Sequence, residues 1–223
     1  AEAVVSNADI RRTFLDLVGP ERLPRDFVHR LEGLKPSTSA FAVYLGVDYV
    51  PDIEPIAMQR LEPPHLGIVV PSKVDPSLAP PGHSSITLLT LMPADLGAWD
   101  RKAPGYAARK RALGDTLIAS AERTLPGLRG HIVYRQDGSP ATFARYAWTA
   151  SGSIYGPAAG QWRPPLRSPV KRLVLAGAGV FPGAGVEAVV ISGTLVADAL
   201  CPPGTLGRAN APSGPPSRET VAA

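Results

Sequence analysis

A single cysteine, Cys201, stands among the 223 residues, so neither a disulfide framework nor a thiolate metal site can form within this chain. A reducing compartment is consistent with that. No apolar run approaches the length of a membrane span, and no basic stretch followed by an apolar one marks a secretory signal. The histidines, His29, His65, His83 and His131, are scattered without His-x-x-x-His or paired-carboxylate spacing, so no metal centre is expected. Gly82-His83-Ser84-Ser85 superficially resembles a nucleophile turn, but Ile86 occupies the place where Gly-x-Ser-x-Gly requires glycine, which argues against hydrolase chemistry. The net charge of +4 is carried mostly by dispersed arginines, with no aromatic-basic stripe or nucleic-acid motif, so a nucleic-acid partner is not expected. There is no internal repeat.

What is present is proline and glycine, 25 and 22 of them, more than the usual share, which points to many short elements joined by rigid connections. The opening Ala3-Val4-Val5-Ser6-Asn7 reads as a buried strand running into a turn. Asp9 is a possible N-cap for a helix carrying Phe14, Leu17 and Val18 and stopped by Gly19-Pro20; a second short helix spans Asp26 to Leu34. Apolar strands follow at Ala40 to Val47, Gly67 to Val70 and Ser85 to Leu91, the last preceded by the rigid turn Pro80-Pro81-Gly82. Tyr106, Leu113, Leu117, Ile118, Ala121 and Leu125 recur at three- and four-residue steps, as on an amphipathic helix. His131 to Arg135 is a further strand and Gly152 to Pro169 a loop-rich crossing. The Pro, Gly, Ser and Ala content after Cys201 predicts a disordered tail. The fold class is α/β with α+β character. The first residue is Ala1, not methionine, and the expectation is a piece of something longer.

The stretch Leu173 to Val186 carries the chemistry. A strand, Leu173-Val174-Leu175-Ala176, leads into a turn with glycines at 177, 179, 183 and 185 and then into a helix over Val186 to Leu200. Glycines let the main chain approach a flat ligand closely, and a helix starting there aims unpaired N–H groups and a positive dipole end at whatever the turn cradles. Spacing by itself leaves two readings open, since Gly177-Ala178-Gly179 lacks the third glycine of a dinucleotide fingerprint: a cofactor cradle, or a tight strand-to-helix turn that binds nothing.

The segment LVLAGAGVFPGAGVEAVVISG resembles the C-terminal flavin motif of the phytoene desaturase, carotenoid isomerase and retinol saturase group. Ala79-Pro80-Pro81-Gly82-His83 is similar to that group's turn before an apolar strand. Trp99, Leu125-Pro126-Gly127-Leu128, Ser139 to Phe143 and Gly152 to Gly156 resemble further landmarks in their expected order. Together they cover nearly everything from Ala3 to Leu200. Glu187 and Ala188 depart from the pattern, which often has a small residue or proline and then glycine there; Ala184 replaces a frequent glycine.

The resemblance implies an FAD-dependent oxidoreductase, of which this chain is the C-terminal part of a Rossmann-like FAD/NAD(P)-binding fold with an inserted mixed-sheet substrate domain. Residues 1–9 are then the end strand of the FAD domain, 10–165 the substrate domain, 166–200 the returning strand, turn and helix, and 201–223 a tail. Gly177, Ala178, Gly179, Pro182, Gly183, Ala184, Gly185 and Val186 would bind FAD. Tyr155, between loop residues, would face flavin or substrate, or be a packed loop tyrosine. No residue stands out as catalytic acid or base, because in this group the flavin performs the hydride chemistry. The implied substrate is an apolar polyene or isoprenoid, and the implied partner a missing N-terminal half bearing GxGxxG. The expected location is cytoplasmic. Peripheral membrane contact, through Arg109-Lys110-Arg111 or Lys171-Arg172, is weighed against plain solvated faces. The alternative is a non-catalytic relative that binds or chaperones.

Overall fold

The computed structural model describes residues 2–59 and 65–201. In chain order its main elements are β1 (Val4–Ser6), α1 (Arg25–Glu32), β2 (Ser39–Val47), β3 (Ile56–Gln59), β4 (Leu66–Val69), β5 (Ser84–Met92), α2 (Tyr106–Ala121), β6 (Ile132–Gly138), α3 (Pro140–Tyr146), β7 (Leu173–Leu175) and α4 (Val186–Leu200). They fall into two compact units, one built from both sequence ends, up to Asn7 and from Pro164 on, the other from Ala8 to Arg163. The tail expected beyond Cys201 lies outside the described residues.

The central unit is a five-stranded sheet in the order β3-β4-β5-β2-β6. Every pairing in it is antiparallel, and the parallel pairing among the described residues is between β1 and β7 in the other unit. Alternation along the strands sets two faces. Phe41, Val43, Leu45 and Val47 of β2 and Ile86 and Leu88 of β5 point to one side, where Leu117, Ile118 and Ala121 of α2 cover them. This is the apolar stripe that the sequence spacing assigned to that helix. Each large side chain buried there contributes about 1.5–3 kcal/mol.

One polar tie holds α2 to β6. Arg135, 9% exposed, donates from Nε to Asp137 Oδ1 at 2.9 Å, from Nη2 to Asp137 Oδ2 and the Arg111 carbonyl, each at 3.0 Å, and from Nη1 to Asp115. A planar guanidinium satisfies a carboxylate and a helix carbonyl at once. The tie needs Gly114: a Cβ there would run into the Arg135 guanidinium and sit 2.9 Å from Asp137 Oδ1. The hydrogen bond from Arg135 also holds the Asp115 carboxyl below the ordinary aspartate range.

Four local details depart from the sequence expectations. Strand β1, expected to be buried, leaves Val4 and Val5 exposed, because it pairs with β7 in a sheet of two strands. The helix after Asp9 closes as a π-helical turn over Arg12–Val18, with Gly19 N–H donating to the Phe14 carbonyl at 3.1 Å. The wider turn swings Leu17 into solvent, 63% exposed, although ordinary helical spacing would bury it with Phe14. Strand β3 has no counterpart among the expected strands, because it is four residues long and sits at a sheet edge. Helix α3 occupies a segment that carries only a family landmark in the sequence, yet Ser139 and Thr142 form a capping box around a proline at its first turn.

Alanine for glycine inside a helix ordinarily stabilises by about 0.5–1 kcal/mol. At Gly114 the sign should reverse: Gly114→Ala breaks charge-assisted hydrogen bonds and should destabilise by about 1–2 kcal/mol, read as a lowered urea midpoint. Because the folded Asp115 is depressed, the stability it adds is complete above about pH 4 and is lost as pH falls through its lower folded value. Asp115→Asn should therefore unfold with a shallower acid dependence than the parent, measured by denaturant midpoints across a pH series.

Candidate functional site

In the unit formed by the sequence ends, β1 and β7 pair in parallel, Val4 with Leu173, Val5 with Val174 and Ser6 with Leu175. Ala176 N–H extends the ladder by donating to the Ser6 carbonyl at 2.9 Å. The chain then leaves the strand at Gly177, with φ +91°, where a Cβ would collide with the Asn7 side-chain oxygen. The Gly177 N–H donates to Ser192 Oγ at 3.0 Å, and Ser192 is fully buried. Side chains on a helix lean toward its N-terminus, which is how a serine two turns into α4 reaches back to the turn.

All eight positions expected to bind cofactor lie on this one connection. Gly177, Ala178 and Gly179 leave the strand; Pro182 follows a cis peptide bond; Gly183, Ala184 and Gly185 lead to Val186, the first residue of α4. Gly183 and Gly185 have φ of +122° and +119°. No side chain caps the helix at Gly185, and its first internal bond runs from Val189 N–H to the Gly185 carbonyl at 3.0 Å. The amides of Val186, Glu187 and Ala188 thus have no acceptor among the described residues, which leaves the positive end of the helix open to an electron-rich ligand edge. Glu187 in the first turn suits that dipole. Phe181, Val186, Val190 and Ile191 are exposed and give the surroundings an apolar surface.

Tyr155 belongs to the other unit. Its N–H donates to Ser37 Oγ at 3.1 Å, and its side chain is 41% exposed.

On the sheet face opposite α2 lies a hollow of about 420 Å³ lined mainly by apolar atoms, with Tyr44, Leu78, Pro80, His83, Ser85 and Tyr134 around it and Tyr155 outside it. Register builds it: Gly46 stands between Ser85 and Tyr134, and Tyr44 beside Thr87. The same face continues to Ile56 and Met58 on β3, both about two-thirds exposed at 67% and 68%. Sequence reasoning misses this site. Its one signal is the turn Ala79-Pro80-Pro81-Gly82-His83, which rims the hollow but whose neighbours across the sheet only pairing reveals.

Removing the Ser192 hydroxyl orphans a buried amide. Ser192→Ala should destabilise by about 1–3 kcal/mol and speed hydrogen exchange at the Gly177 amide. Thr194→Ala, which removes an exposed bond to the Val190 carbonyl, should leave that exchange rate unchanged.

The family model described as flavin containing amine oxidoreductase matches residues 1–201. A chloroplastic prolycopene isomerase of Daucus carota is 30% identical over 216 residues, which cover 88% of this chain and 35% of that protein. A lycopene-forming phytoene desaturase of Pseudescherichia vulneris is 30% identical over 226 residues, 89% of this chain and 45% of that protein. The chain therefore spans less than half the length of these relatives. An oxidoreductase of Methanosarcina mazei shares the fold, with a TM-score of 0.57 at 18% identity over 89% of this chain and 43% of that structure. Since the family match runs through both compact units, the chain belongs to the flavin-containing amine oxidoreductases.

Proposed function

We propose that this chain forms the C-terminal portion of an FAD-dependent oxidoreductase acting on an apolar polyene or related isoprenoid, by desaturation, saturation or redox-assisted isomerisation. The observation that carries the reading is the uncapped start of α4, whose free amides sit on a glycine turn with positive φ at Gly177, Gly183 and Gly185. Those residues fit an isoalloxazine edge: main chain without Cβ atoms on the approach, N–H donors without protein acceptors, and apolar neighbours. FAD supplies the hydride chemistry when bound. What the chain contributes is positioning. The amides of Val186, Glu187 and Ala188 hold the electron-rich edge, Ser192 fixes the turn, and the apolar sheet face around Tyr44 and Tyr134 receives substrate and excludes water.

The partner is an N-terminal portion carrying the pyrophosphate-binding strand, turn and helix. In support, a parallel sheet is ordinarily buried on both faces, whereas here it has two strands and Val4 and Val5 stay 55% and 48% exposed. Val186, Val190 and Ile191 of α4 are exposed as well. Further strands against β1 and β7 would cover such surfaces. Among the described residues no helix is long and apolar enough to cross a membrane. Contact with acidic headgroups would fall to Arg109, Lys110 and Arg111 or to Lys171 and Arg172, of which all but the half-buried Lys110 are exposed.

Co-refolding the chain with the N-terminal portion of a phytoene desaturase should give a complex with a bound-flavin visible spectrum that dithionite bleaches. Gly185→Val should weaken flavin retention at least about tenfold, since a β-branched residue is strained at that φ and its side chain enters the approach. A colourless complex would favour a non-catalytic binder and overturn the reading.

A further inference from the structure

The open start of α4 carries a charge of its own. Glu187 is the second residue of that helix and is exposed. Its carboxylate turns back over the glycine turn: a Cβ at Gly185 would lie 3.8 Å from Glu187 Oε2. Helical side chains lean in that direction. Neither carboxylate oxygen accepts a hydrogen bond from the first-turn amides, and no cation pairs with Glu187 among the described residues. The carboxylate thus lies on the side from which a ligand reaches the turn, and nothing in its own unit neutralises it.

The amides and the carboxylate act in opposite directions. The unpaired N–H groups of Val186, Glu187 and Ala188 give the helix end about half a positive elementary charge. Glu187 brings a whole negative one, so on charge alone it outweighs the helix end, while the amides keep their capacity to donate. An oxidised isoalloxazine is neutral and needs only those donors. Reduction places extra negative charge on the edge that the donors hold, and that extra charge meets the carboxylate.

We propose that Glu187 lowers the reduction potential of the flavin held at this turn, by opposing the charge that reduction brings to the amides of α4. The proposal rests on the flavin reading of the turn and adds what the turn does to its cofactor. A flavin whose reduced form is held less tightly is a stronger hydride donor and a weaker hydride acceptor. Glu187 therefore shifts the balance toward delivery of hydride to substrate and away from its removal. It acts through its field and touches no reacting atom. A carboxylate that only stabilised the helix would leave the potential where it is.

The complex of this chain with the N-terminal portion of a phytoene desaturase lets the potential be read directly, by dithionite titration against a redox dye of known midpoint. Glu187→Gln should tighten the hold on reduced relative to oxidised flavin about tenfold, which raises the midpoint by about 30 mV for a two-electron couple. Glu187→Ala should do the same, because charge and not side-chain size is the cause, and it serves where the glutamine variant loses its flavin. Asp198→Asn removes an equal charge from the same helix, roughly 16 Å further along its axis, and should leave the midpoint unchanged. In 1 M salt, where the screening length is about 3 Å, the parent midpoint should rise and the gap to Glu187→Gln should largely close. A bound flavin with the same midpoint in parent and Glu187 variants, a midpoint that falls, an equal shift in Asp198→Asn, or a gap that high salt leaves intact would overturn this inference and leave the flavin reading standing. A colourless parent complex would remove both.

Discussion

The pairing of β1 with β7 is the constraint on which the candidate cofactor site depends. Strand residues at the start of the chain and strand residues beyond position 170 lie side by side, and that ladder, extended by the bond from Ala176 to Ser6, aims the exit of β7. Where the ladder stops, Gly177 must turn within the space left by Asn7, and only a residue without Cβ does so. Ser192 then takes the amide that the turn would otherwise leave buried and unpaired. Each of these contacts joins residues distant in sequence, so the connection is rigid while its next amides, at the start of α4, stay free for a ligand.

The central unit meets a different demand. Its sheet has one face closed by α2 and the Arg135 tie, and another face that stays apolar and accessible around Tyr44, Val133 and Tyr134. Exposed apolar surface of that kind is unfavourable in water unless something occupies it. On the function proposed for the chain that occupant would be an apolar substrate, and the face carries few polar groups. Stability is concentrated on one side of the sheet and recognition on the other, an allocation that the two-residue period of strands makes possible.

Strands β2, β4 and β5, helix α2 and the β7-turn-α4 segment were legible because each carries its own periodicity and its own stop signal: the apolar run in β2, the three- and four-residue spacing of Leu117, Ile118 and Ala121, the glycines after Leu175. The cofactor turn was legible by resemblance, since its glycines are clustered in sequence as well as in space. Strand β3 was not, because four residues at an edge carry too little pattern. Leu17 departs from expectation because the ordinary helical period does not hold in a π-helical turn.

By itself, then, the amino-acid order determined most of the strands and helices, where the glycines of the turn cluster, and which family's motifs the chain bears, since those depend on neighbours a few residues away. Tertiary structure alone decided that Ser192 holds Gly177, that the Arg135 guanidinium fills the space beside Gly114, and that His83, Ser85, Tyr44 and Tyr134 share one hollow. Such contacts are fixed by strand register and by the packing of α2 and α4, and these arise only when the chain closes on itself.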